Sequence, residues 1–208
     1  VVHPEGTGFP HRLASHSPDE PQTARDVQFI ADLIDHLSEA YPIDQDRIHV
    51  AGISNGGGMA FVLSCELSAR VASIGTVAGL FTYPWEACDR TRPVPLIAFH
   101  GLADEIVPFR GGPLDGPGGA APDVATWMTD LAGRNGCAKV AALPSEGVLS
   151  GTRWSGCDAG ADVLLHTIAD GGHTWPGGDP LPEFIAGYTS PAIDATATMW
   201  EFFEEHPR

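Results

Sequence analysis

Basic residues are scarce in this chain. Eleven lysines and arginines stand against 27 aspartates and glutamates, a formal net charge of −16 over 208 residues. No basic run occurs, and so negative a surface repels phosphate backbones, which argues against nucleic acid as a partner. Long apolar runs are missing too: none approaches the roughly 18 residues a membrane span requires, so no membrane partner is expected. The first residues show no leader pattern and begin with Val1 rather than Met, so a leader is expected to have been removed or cut away. There is no C-x-x-C pair and no histidine near a cysteine at ligand spacing, which argues against a zinc site. Repeats and a domain linker are also lacking. The length and 43% hydrophobic content therefore suit one domain, residues 1–208, able to bury a full core.

Against these absences stands Gly52-Ile53-Ser54-Asn55-Gly56. Residues 47–51 before it form a short β-type run, and residues 57–63 after it read as a helix opening. Strand, G-x-S-x-G, helix is the context of a nucleophile elbow: small residues permit a sharp turn, and the serine hydroxyl is lifted into a cleft at the helix N-terminus. With 25 glycines in the chain the five residues alone are a weak signal, and the flanking context raises it.

A serine hydroxyl is a poor nucleophile without a base to take its proton and an acid to orient that base. Residues 94–100 (VPLIAFH) form a buried-strand run, and Asp104 lies in the loop that follows. Residues 161–168 (ADVLLHTI) form another, and His173 lies in the glycine-rich loop after it. The order Ser54, Asp104, His173, each past a strand, is the α/β-hydrolase order. Glu105 or Asp170 could replace Asp104. His100 at a strand end, His166 inside a strand and His36 on a helix are the competing imidazoles, but only His173 lies in the required loop. Trp175, two places after His173, is either a packing residue or part of the acyl or alcohol pocket.

Strands and helices alternate along the chain. Residues 1–3 end a strand, and a loop rich in Gly, Pro, His and Ser leads to a helix over 23–40. Ile30, Leu33, Ile34 and Leu37 give that helix an i, i+3, i+4, i+7 apolar face. A strand is expected at 47–53, a helix at 56–69, strands at 72–78 and 94–100, and a mobile loop at 110–121. A helix at 122–135, a small-strand region at 140–154, a strand at 161–168 and a helix at 193–205 complete the order. Such alternation implies a mainly parallel sheet with helices on both faces. Cys65, Cys88, Cys137 and Cys157 are an even set, which suggests two disulfides and an oxidising, extracellular compartment. Of three pairings, 65–88 and 137–157 close the shortest loops; four buried free thiols are the alternative.

Four segments carry a family resemblance: VVHPEGTG (1–8), DRIHVAGISNGGGMA (46–60), VPLIAFHGLADEIVPF (94–109) and DGGHTWPGG (170–178). On these the chain resembles the polyhydroxybutyrate-depolymerase and feruloyl-esterase group of α/β hydrolases, which includes carbohydrate esterases of family 1. The resemblance implies that Ser54 is the nucleophile, Asp104 the orienting acid, His173 the base and the Asn55 N–H one oxyanion donor. It favours the pairs Cys65–Cys88 and Cys137–Cys157. It implies a secreted serine esterase without metal or organic cofactor, acting on feruloyl or acetyl esters of plant polysaccharide, short-chain acyl esters or hydroxyalkanoate polyester.

The sequence departs from the family at its start. There, an earlier strand beside the nucleophile strand ends in a His-Gly loop that gives the second oxyanion donor. VVHPEGTG corresponds to the strand after that point, and the segment 7–17 is shorter than the family pattern. Losing one donor typically costs about a hundred- to a thousandfold in rate, and removing a central strand leaves its neighbours' backbone groups unpaired. The chain is therefore expected to be incomplete at its N-terminus, or to have the gap filled by another segment or chain. A non-catalytic binding domain on the hydrolase fold is the alternative of another class, with a peptidase or lipase a weaker one.

Overall fold

The computed structural model describes residues 1–4, 16–114 and 119–208. The sequence order of elements is helix α1 (Pro21–Ala40), strand β1 (His49–Ile53), helix α2 (Asn55–Glu66), and strands β2 (Ser73–Val77) and β3 (Leu96–Gly101). A short hairpin of β4 (Gly112–Pro113) and β5 (Ala120–Ala121) precedes helix α3 (Val124–Arg134). Strands β6 (Lys139–Ala142), β7 (Leu149–Ser155) and β8 (Val163–Ile168) and helices α4 (Glu183–Ala186) and α5 (Ala195–Glu205) follow.

The main sheet has the order β1-β2-β3-β8-β7-β6. β1, β2, β3 and β8 run parallel, while β7 and β6 join antiparallel. Parallel strands covered on both faces need apolar side chains on both, and β2 and β3 are buried throughout. Leu96 and Ala98 of β3 point into a core built with Phe61 of α2 and Trp127, Met128 and Leu131 of α3. Ile97 and Phe99 point the other way, to Met199, Phe202 and Phe203 of α5. Met199 lies so close over Gly75 that a β-carbon there would overlap its side chain. Phe61 meets Trp127 edge-on at 4.8 Å and ties α2 to α3. No helix among the described residues is long and apolar enough to cross a membrane.

Several expectations are refined. On α1, Ile34 is buried and Ile30, Leu33 and Leu37 are half-buried. Residues 1–4 form no strand, and Val1 and Val2 are exposed. A strand needs a ladder partner, and the main sheet begins at β1 instead. The expected mobile loop holds the β4–β5 hairpin, with residues 115–118 outside the described residues. Most of the segment 7–17 also lies outside them. Both disulfides, Cys65–Cys88 and Cys137–Cys157, are present.

Candidate active site

The parallel strands deliver three loops to one edge of the sheet, where ligands of open α/β sheets bind. Ser54 follows β1 with φ 56° and ψ −123°, a backbone region that non-glycine residues seldom occupy. The turn is held from the sheet by the Ser54 N–H donating to the Val77 carbonyl at 2.9 Å. Its carbonyl accepts from Gly58 N–H at 3.1 Å and from Leu80 N–H at 3.0 Å. The side chain makes no capping bond to α2, so the hydroxyl is not committed to the helix. A β-carbon at Gly52 would overlap the Gly56 carbonyl, and one at Gly57 would stand 2.9 Å from the Gly79 Cα. The steric demand for glycine at this turn thus falls on Gly52 and, beyond the pentapeptide, on Gly57 and Gly58.

Asp104 follows β3 and is only 4% exposed. Its Oδ1 accepts from the N–H groups of Ile106 at 2.9 Å and Val107 at 2.8 Å. Its Oδ2 lies 2.8 Å from His173 Nδ1. Two backbone donors and one ring donor leave neither oxygen of this buried carboxylate without a partner. Glu105 and Asp170, the other carboxylates in these loops, are exposed. His173 is seated by its own backbone, whose N–H donates to the Ala186 carbonyl at 2.6 Å. With Nδ1 turned to Asp104, Nε2 is the nitrogen left for a proton transfer.

The loops touch one another. The Ala103 N–H donates to the Gly171 carbonyl at 3.0 Å, binding the Asp104 loop to the His173 loop. Leu80, whose N–H holds Ser54, packs its side chain in one small cluster with Val107, whose N–H holds Asp104. Among the described residues the Ser54 hydroxyl enters no hydrogen bond, with His173 or another side chain. Nucleophile–base bonds are often long in unliganded enzymes and tighten around substrate.

The competing histidines are placed elsewhere. His100 is 2% exposed and bonds the Val107 carbonyl through Nε2 at 2.8 Å. Burial pushes its imidazole below the ordinary range, so it stays neutral 3.6 Å from Asp104 Oδ2. His166 stacks on Phe99, and His36 is exposed on α1. Trp175 is half-buried against the α5-side core, its indole N–H donating to Thr196 at 3.0 Å. One residue near Ser54 escaped the sequence reading. His16, 3% exposed, lies 2.9 Å from the Asn55 carbonyl through Nε2. Nothing in the local pattern around His16 marks it, because its contact is made across 39 residues.

A mainly parallel sheet, helices on both faces and a strained serine between strand and helix define an α/β hydrolase. The solved esterase PE8 shares the fold: TM-score 0.55, 17% identity, 88% of this chain and 61% of that one covered. The family model described as phospholipase/carboxylesterase matches residues 10–114, and the chain belongs to that family. NocK of Nocardia uniformis subsp. tsuyamanensis, whose name carries a provisional esterase assignment, is 31% identical over 199 residues. Feruloyl esterase B of Piromyces equi is 29% identical over 176 residues. These matches take in 88% and 81% of this chain but 58% and 32% of the relatives. The chain thus spans little more than half, or less, of the curated relatives it matches.

Proposed function

We propose that this chain is one esterase domain that hydrolyses carboxylic esters through an acyl-enzyme on Ser54. The observation that carries the reading is the 2.8 Å bond between Asp104 and His173, in loops joined to the strained Ser54 turn through the packing of Leu80 on Val107. Asp104 holds His173 with Nδ1 protonated, leaving Nε2 to take the Ser54 proton as the hydroxyl attacks the ester carbonyl. The alcohol departs with that proton, and water releases the acid by the same route. The oxyanion is met by the Asn55 N–H and the positive end of α2.

That N–H is aimed by its own peptide. Two donors hold the Ser54 carbonyl, and a trans peptide turns the Asn55 N–H the opposite way, out of the helix N-terminus. A relative named as feruloyl esterase favours feruloyl esters, with acetyl esters on polysaccharide or short-chain acyl esters as the wider reading. Exposed apolar side chains beside the site favour a second reading, hydroxyalkanoate polyester: Leu102 and Ile106 flank Asp104, and Phe184 and Ile185 follow His173. Trp175 is proposed to border the substrate pocket. Two disulfides fit an extracellular setting.

Ser54→Ala is expected to abolish hydrolysis of a short-chain nitrophenyl ester while circular dichroism and the melting midpoint stay unchanged. Wild-type turnover in that variant would sink the assignment. A panel of feruloyl, acetyl, butyryl and hydroxybutyrate esters separates the two substrate readings.

A further inference from the structure

Two hydrogen bonds from outside α2 fall on the two peptides that flank Asn55. Leu80 N–H donates to the Ser54 carbonyl at 3.0 Å. His16 Nε2 reaches the Asn55 carbonyl at 2.9 Å; a carbonyl only accepts, so the imidazole donates here. His16 is 3% exposed, a buried polar ring at the start of the nucleophile helix. Its seat depends on the absence of a side chain at Gly58, where a β-carbon would overlap the Leu80 carbonyl and stand 3.0 Å from His16 Cδ2.

The first turn of a helix is its least constrained part, because its N–H groups lack partners within the helix. Here that turn also follows a residue at positive φ. We infer that His16 is a positioning residue for ester hydrolysis: its bond to the Asn55 carbonyl fixes the first turn of α2, and so the direction of the Asn55 N–H toward the oxyanion. The inference rests on the reading of Ser54 as nucleophile and Asn55 N–H as oxyanion donor. Burial strengthens the bond, since no water competes for the carbonyl.

His16→Gln and His16→Asn test it as a pair. Both are polar and uncharged, but only the glutamine amide nitrogen stands where Nε2 stands; the asparagine amide stops at the level of Nδ1. Active serine is counted by stoichiometric organophosphonate labelling, and kcat and KM for a nitrophenyl acetate are then measured per labelled serine. Affinity for an arylboronic acid, which becomes tetrahedral on the serine, is measured alongside. His16→Asn is expected to lower kcat by about ten- to a hundredfold, the scale of a misplaced reacting group. KM should be unchanged and boronate affinity should fall by a similar factor, with His16→Gln close to wild type.

A merely structural role would lower the melting midpoint and the count of active serines, leaving kcat per labelled serine unchanged. That result, or equal behaviour of the two variants, overturns the inference. If wild-type protein were not labelled at Ser54, the esterase reading itself would fail, whatever the His16 variants do.

Discussion

At the scale of single residues, three features separate Asp104 from its neighbour Glu105: it is buried, it accepts two backbone N–H groups, and it meets His173. The short Asp side chain closes a local turn onto the N–H groups two and three places on, which a Glu would overreach. Asp104→Asn keeps that shape but favours the wrong histidine tautomer. It is expected to cut kcat by about ten thousandfold while the fold stands, checked by ester turnover beside the thermal midpoint. Ser54, Asp104 and His173 could be singled out in the sequence because each sits in a loop just past a recognisable strand. His16 could not, because its role comes only from a partner brought near by folding.

At the scale of elements, the alternation of mainly apolar runs with helical patterns makes the sheet and its helices legible, and β2 and β3 are buried throughout. Element ends are less legible: the pattern predicts a helix over 56–69, and the helix spans Asn55–Glu66, because a helix end depends on caps and packing that periodicity does not contain. The strand expected at residues 1–3 failed for a different reason. Strand character in Val1 and Val2 is only a potential, realised when a neighbouring strand supplies the ladder.

The Cys65–Cys88 bond ties the end of α2 to the segment after β2, closing a separation of 23 residues. A loop of that size is worth roughly 3 kcal/mol in the chain-entropy account. The double variant Cys65→Ser/Cys88→Ser is expected to lose stability on that scale in urea unfolding, with a larger m-value because its unfolded chain is less compact. An unchanged midpoint would show that the packing around Phe61 and Tyr83 holds this segment alone.

At the scale of the whole molecule, acid is expected to weaken the fold through its histidines. Burial, with help from Arg47 and His206, lowers the His49 pKa from 6.5 to about 4. Burial lowers those of His100 and His166 as well. Where the folded pKa lies below the unfolded one, the unfolded chain binds the extra proton. Stability is therefore full above about pH 6.5 and falls as pH drops toward 4. His49 stacks on Phe203 at 4.7 Å and bonds Ser73 through Nδ1 at 2.8 Å, so protonation disturbs the seat of α5. Thermal midpoints measured from pH 7 to 4 should fall, and His49→Gln should flatten part of that fall. The same slope in both proteins would remove His49 from the account.

The claim on which the rest depends is that His173, held by Asp104, makes Ser54 the one reactive hydroxyl of this molecule. Treatment with a fluorophosphonate, followed by intact-mass measurement and peptide mapping, tests it most directly. The account predicts a single adduct on Ser54, formed in step with the loss of ester hydrolysis and much more slowly in His173→Ala. Loss of activity with the adduct on another residue, or full activity in protein fully labelled at Ser54, would contradict it.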